Sequence, residues 1–153
     1  MTIEIPLPCC VDRLCDVLSF GRTFGHFWLT AHMGGGYIAG YMRVIEHHPW
    51  YRFTELDHEV FAEQHTGIDW VGCDRMLYPD WAEGWWLGFY CNHECDWPDE
   101  TIAREYGCEI DHGYRQSYQL VRTLDYVEGV LVTFAQQANA EIAIQEMKRK
   151  RNG

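Results

Sequence analysis

From Leu124 onward, Val127, Leu131, Phe134, Ala138 and Ile142 recur at three- and four-residue steps. That spacing lines one face of a 3.6-residue turn and predicts a long amphipathic helix running to about Lys148. The clearest strand is Gly84-Trp85-Trp86-Leu87-Gly88-Phe89-Tyr90-Cys91, aromatic and bounded by turn residues. Alternation puts Trp85, Leu87, Phe89 and Cys91 on one side and Trp86, Gly88 and Tyr90 on the other. Both sides are apolar, so this strand is expected at the centre of a sheet covered on both faces.

Weaker patterns fill in the rest. Cys10, Leu14, Val17 and Leu18 lie at helical spacing and predict a short first helix within residues 9–20. Phe24 to Thr30 alternates, Met33-Gly34-Gly35-Gly36 reads as a turn, and Tyr37 to Val44 as a strand that His48-Pro49 ends. Glu55 to Gln64 has mixed signals, between a short strand and a single turn. His65-Thr66-Gly67 reads as a turn and Ile68 to Val71 as a brief strand. Tyr78-Pro79-Asp80 marks a loop, and Asp96-Trp97-Pro98-Asp99-Glu100 a helix start. Gly129, inside the long helix, is either a site of close strand approach or a tolerated weak point. Together these elements predict a single α+β domain over residues 1–147: a small mixed or antiparallel sheet against a long C-terminal helix and a short N-terminal one. Residues 148–153 form a basic tail, a solvated helix end whose cations complement the helix dipole.

Composition and charge narrow the classes. The 153 residues carry 47% apolar and 23% charged side chains, the balance of a globular chain rather than a disordered one. No apolar run approaches the ~20 residues that span a bilayer, and the first residues lack a signal-peptide pattern. Of the 12 basic residues, four close the chain, which leaves 8 against 23 acidic side chains over residues 1–147, a net charge of −15. Such a body repels phosphate backbones and argues against direct nucleic-acid binding. It can instead keep the protein soluble or address a basic protein surface. Seven cysteines, odd in number and matching no disulfide framework, fit a reducing cytosol.

Candidate chemistry gathers around Cys91-Asn92-His93-Glu94-Cys95-Asp96. If the strand continues, Cys91, His93 and Cys95 share one side, and with His65 they form a donor set that zinc would take. The Cys-x-His-x-Cys spacing is not the usual chelating turn, so buried thiols beside a hydrogen-bonded histidine are the competing reading. His32, His47, His48, His58, His65 and His93, with Asp57, Asp69 and Asp96, supply groups for acid–base work. No deaminase, zincin, nucleophile-elbow or phosphate-loop pattern is present. Seven Trp and nine Tyr, among them Tyr41, Tyr51 and Trp86, are either core or stacking surfaces for a flat ligand.

Three blocks carry a resemblance. Gly40-Tyr41-Met42-Arg43-Val44-Ile45-Glu46-His47-His48-Pro49-Trp50-Tyr51 resembles a Gly-Tyr-Val-x-Val-Pro-x-x-His-Pro-x-Tyr block. His65-Thr66-Gly67-Ile68-Asp69 resembles a His-Gly-Gly-x-Thr turn, and Trp85-Trp86-Leu87-Gly88-Phe89-Tyr90-Cys91-Asn92-His93-Glu94-Cys95-Asp96 a Trp-Trp-x-Gly-Phe-Asp-x-x-His-x-x-Asp block. A closing segment around Arg122, Tyr126 and Ala135-Gln136-Gln137 follows in the same order. These blocks resemble small, mostly uncharacterised bacteriophage and prophage proteins. Thr66, Asp69 and Tyr90 depart from them, the last removing an acid from the strand. The resemblance implies a phage accessory protein in the host bacterial cytoplasm, with a shared site at His48, His65, Trp86, His93 and Asp96, and it implies no catalysis. With Tyr41 and Tyr51 added from the aromatic supply, these residues form the expected ligand site.

The leading expectation is a non-enzymatic counter-defence or host-takeover protein. It would sequester a nucleotide-like ligand or block a basic host protein, needing no cofactor and leaving a homo-oligomer open. The alternative is a small metal-dependent hydrolase using His65, His93, Cys95 and Asp96. A binding role predicts that removing the His65 or His93 ring costs function while the fold survives.

Overall fold

A computed structural model describes residues 5–54, 65 and 67–153. Five strands form one antiparallel sheet: β1 (Val17–Thr23), β2 (His26–Gly34), β3 (Tyr37–Ile45), β4 (Trp70–Cys73) and β5 (Gly84–Tyr90), in the order β1-β2-β3-β5-β4. The first three are joined by two-residue turns, Phe24-Gly25 and Gly35-Gly36, with φ positive at all four residues. Turns of that hand match the right-handed twist of the strands they join. After β5 come a two-residue strand β6 (Asp96–Trp97), helix α1 (Glu100–Glu105), a second short strand β7 (Leu120–Val121) parallel to β6, and helix α2 (Leu124–Asn152).

The sheet buries both faces, as the aromatic strand requires. On one, Ile38, Met42 and Val44 of β3 and Leu87 and Phe89 of β5 pack beneath Val127, Leu131, Phe134, Ala135 and Ala138 of α2. Gly40 lets the helix close on the sheet: a Cβ there would sit 2.4 Å from the Phe89 ring and 3.2 Å from Leu131. On the other face Leu29, Ala31, Ala39, Tyr41 and Trp86 are covered by Leu7 and Val11 of the N-terminal segment. Trp85 and Trp86 point to opposite faces, as alternation demands.

The α+β architecture and the long C-terminal helix agree with the sequence. The N-terminal helix is much shorter than residues 9–20: it is a single 3₁₀ turn, Leu14–Asp16, and Val17 then enters β1. Val17, Leu18 and Phe20 suit a pleated, half-buried surface, and pairing with β2 overrides the local helical spacing. The brief strand expected at Ile68 to Val71 runs from Trp70 to Cys73. Gly129 is exposed with nothing within 4 Å of its Cβ position, so it is a tolerated weak point and no strand approaches it. Residues 55–64, where the pattern was mixed, lie outside the described residues. The basic residues Arg149, Lys150 and Arg151 occupy the last turn of α2, the helix end expected there. No helix among the described residues is long and apolar enough to cross a membrane.

Candidate functional site

Strand order brings three parts of the chain together where β5 ends. Asp69 directly precedes β4, the neighbour of β5, and its Oδ2 accepts the Tyr90 N–H (2.6 Å) at the last residue of β5. The chain then turns: His93 N–H donates to Asp96 Oδ2 (2.9 Å), so a side-chain-closed turn carries the His93 ring and the Asp96 carboxylate side by side. Asp99 Oδ1 caps α1 through Ile102 N–H (3.1 Å), and Oδ2 accepts Leu124 N–H at the start of α2 (3.0 Å). That double cap sets the first turn of α2 beside β6, with Arg122 aimed at Asp96 and Tyr126 at His65.

Asp96 is the hub, 1% exposed. Its Oδ1 accepts Arg122 Nε–H (2.8 Å) and its Oδ2 accepts His65 Nε2–H (2.9 Å) in addition to the His93 backbone. Burial alone would raise this carboxyl, but the hydrogen bonds from Arg122, His65 and His93 outweigh it and hold Asp96 below the ordinary carboxylate value. A proton on His65 Nε2 leaves Nδ1 to accept from the Tyr126 hydroxyl (2.6 Å) when the ring is neutral. Burial raises Tyr126, which keeps its phenol protonated for that role. The Arg122 guanidinium lies 4.5 Å from the centre of the Tyr126 ring, which fixes its plane.

A second imidazole–carboxylate pair adjoins this hub. His93 Nε2–H donates to Asp69 Oδ1 (2.9 Å), and its Nδ1 lies 3.4 Å from Asp96 Oδ2. The two imidazole rings are 5.6 Å apart. Their exposures differ sharply: the His65 side chain is 2% exposed and that of His93 32%. The site thus has a hydrogen-bonded base of buried Asp96 and His65 with half-buried Arg122 and Tyr126, and one ring nearer the surface.

Of the residues expected from sequence, His65, His93 and Asp96 converge. The other four lie elsewhere. Trp86 is fully buried on the opposite face, with its indole N–H on Asp74 Oδ1 (2.6 Å). It therefore does not adjoin the histidines, whose aromatic neighbours are Phe89 and Tyr126. Tyr41 shares Trp86's face and lines a 480 Å³ cavity with Cys10, His32 and Tyr90. His48 donates from Nε2 to the Ala138 carbonyl (2.9 Å) and accepts Trp50 N–H at Nδ1 (3.0 Å), so one ring nitrogen ties the turn after β3 to α2 and the other closes that turn. Tyr51 packs against the helix-side core with Arg52 over its ring. Asp57 and His58 lie outside the described residues.

The metal candidates divide in the same way. Among the described residues, His65, His93 and Asp96 each place one donor atom within 4.8 Å of the others. Cys91 is buried against the helix side, its thiol raised by burial and by the Asp96 charge, and Cys95 is exposed. The chain turns after Tyr90, so the strand that would have aligned Cys91, His93 and Cys95 does not continue. Arg122 and Tyr126 were visible in the sequence only within the closing segment. What points to them is the charge balance, since a buried aspartate needs a cation within reach. No protein-family model, no curated protein and no solved structure matches the chain.

Proposed function

We propose that the protein is a small-ligand-binding accessory factor whose recognition surface is the half-buried His93 ring with Asp69, backed by the Asp96 hub. The observation that carries this reading is the contrast within the cluster. Five buried or half-buried polar side chains are locked by one another, and they hold a single imidazole in a fixed position at the surface. A preorganised polar group of that kind recognises a ligand at low entropic cost. A nucleotide-like ligand fits best, because an imidazole held in place by Asp69 and Asp96 presents a fixed face on which a base can stack. The sequence blocks around His48, His65 and His93 support a phage accessory role in the bacterial cytoplasm. The acidic body favours docking on a basic host protein as the competing mode of action.

The test is mass spectrometry of small molecules released on denaturing protein purified from bacteria, followed by calorimetric titration of the released compound. The wild-type chain is expected to bind it, and His93→Ala to bind at least tenfold more weakly with the fold intact. Equal binding by both proteins, or release of no compound, overturns the reading.

A second reading, a metal-dependent hydrolase, is favoured by the three converging donor atoms. Against it stands the bonding of Asp96, whose Oδ1 is taken by a cation and whose Oδ2 already accepts two N–H groups. A metal there would have to displace the His65 proton beside a guanidinium, which electrostatics opposes. Stoichiometric zinc or manganese in the purified protein, with activity lost on chelation, would establish this second reading.

A further inference from the structure

Away from the histidine cluster, the N-terminal segment meets the end of β4. Pro8 lies opposite Asp74 in an antiparallel bridge, Cys9 N–H donates to Cys73 O (2.9 Å), and Arg75 N–H donates to Leu7 O (2.8 Å). In that ladder Cys9 is the cross-strand neighbour of Cys73, and directly opposed side chains emerge on the same side. Opposed residues at a hydrogen-bonded position have Cα atoms about 5.5 Å apart. A disulfide accepts roughly 4.4–6.8 Å. The two side chains are near enough for the Cys73 thiol to raise the Cys9 thiol, after burial the largest cause, and both residues are exposed. The other exposed cysteines, Cys10, Cys15 and Cys95, have no such cross-strand thiol partner among the described residues.

We propose that Cys9 and Cys73 are an oxidation site: a peroxide converts them to a disulfide that staples the N-terminal segment over the Trp86 face of the sheet. The chemistry balances with hydrogen peroxide as the oxidant. One thiolate sulfur attacks a peroxide oxygen, the O–O bond breaks, and a sulfenic acid forms as the departing hydroxide takes up a proton. The second thiol sulfur then attacks the sulfenic sulfur, the S–S bond forms, and hydroxide leaves as water with the remaining proton. Two thiols lose two electrons in all, and one peroxide becomes two waters. The consequence is mechanical. Leu7 and Val11 cover Leu29, Ala39, Tyr41 and Trp86, and Arg75 Nη1 donates to the Val11 carbonyl (2.8 Å). A covalent link at Cys9 fixes this cover to the sheet at one more point, between residues far apart in sequence, where a crosslink restricts the unfolded chain most.

The experiment treats the full chain with hydrogen peroxide and compares wild type with Cys9→Ser, Cys73→Ser and Cys10→Ser. Cys9 and Cys10 are adjacent, so the variants rather than peptide mapping assign the bond. Wild type and Cys10→Ser are expected to lose about 2 Da as monomers. Their titratable thiols should fall from seven to five in the wild type, which has seven free cysteines. Their melting temperature should rise by roughly 5–15 °C and return on reduction with dithiothreitol. Cys9→Ser and Cys73→Ser should show neither change while melting like the reduced wild type. A crosslink that survives in either of those two variants, a bond formed only between molecules, or an unchanged thiol count overturns the proposal.

Discussion

Two histidines of one cluster are expected to respond oppositely to the same substitution. His65 spends both ring nitrogens on buried partners, Asp96 and Tyr126. His65→Ala takes from Asp96 Oδ2 one of its two N–H donors and leaves the Tyr126 phenol without its partner, at a cost of ~1–3 kcal/mol for each lost bond, so it lowers the melting temperature markedly. The expectation from sequence is the reverse, that the His65 ring can be removed while the fold survives. His93 is one-third exposed at its side chain, and its backbone N–H, which closes the turn, survives substitution. His93→Ala is therefore expected to melt within a few degrees of wild type. Thermal denaturation of the two variants side by side checks this, and equal destabilisation would make both rings structural. Asp69 belongs to the same account. It delivers a carboxylate onto the Tyr90 N–H and the His93 ring.

At the scale of elements, the long helix is divided between a buried half and a projecting half. Val127, Leu131, Phe134, Ala135 and Ala138 are fully buried, whereas Ile142 is 36% and Met147 66% exposed. Phe134→Ala is expected to cost ~3–5 kcal/mol by denaturant titration. Met147→Ala should stay within ~0.5 kcal/mol. Gly40→Ala is expected to cost ~1–3 kcal/mol, since its Cβ has to displace the Phe89 ring from under the helix. A neutral Gly40→Ala would mean that the helix and sheet pack less closely than described.

The buried half of α2 and the double-covered β5 were legible in the sequence because their signals are local periodicities. The 3₁₀ turn at Leu14–Asp16 was not, because Val17 and Leu18 satisfy helical spacing and strand propensity alike, and only pairing with β2 decides between them. Convergence of His65, His93 and Asp96 was legible from their positions at strand ends. The company they keep was not. Trp86 is one residue from Trp85 and three from Phe89, yet its direction puts it against Asp74 and Arg43, a buried ion pair that only the fold assembles.

For the whole molecule, pH integrates these local arrangements. His26, at the start of β2, is pushed down to about 4 by burial and by the neighbouring His48 ring, which burial lowers as well. The two rings meet edge to face at 5.3 Å, and His26 Nε2 is buried without a hydrogen-bond partner among the described residues. A histidine whose folded value lies below its unfolded value of about 6.5 binds its proton more readily in the unfolded chain. Stability is therefore unaffected by this group above that value, falls as pH drops through the window from about 6.5 to about 4, and levels off below it. Asp96 acts lower still: its depressed carboxyl contributes stability that is present above its unfolded value near 4 and is lost as pH falls through the folded one. Relief of self-repulsion among the surface acids works the other way over the same range, so the wild-type curve alone does not isolate either group. The difference between proteins does. His26→Gln has no imidazole to protonate and is expected to lose less melting temperature between pH 7 and pH 4.5 than the wild type. Parallel curves for His26→Gln and wild type would mean that the His26 ring takes up its proton in the folded state at no cost, and that the His26–His48 contact does not resist charge.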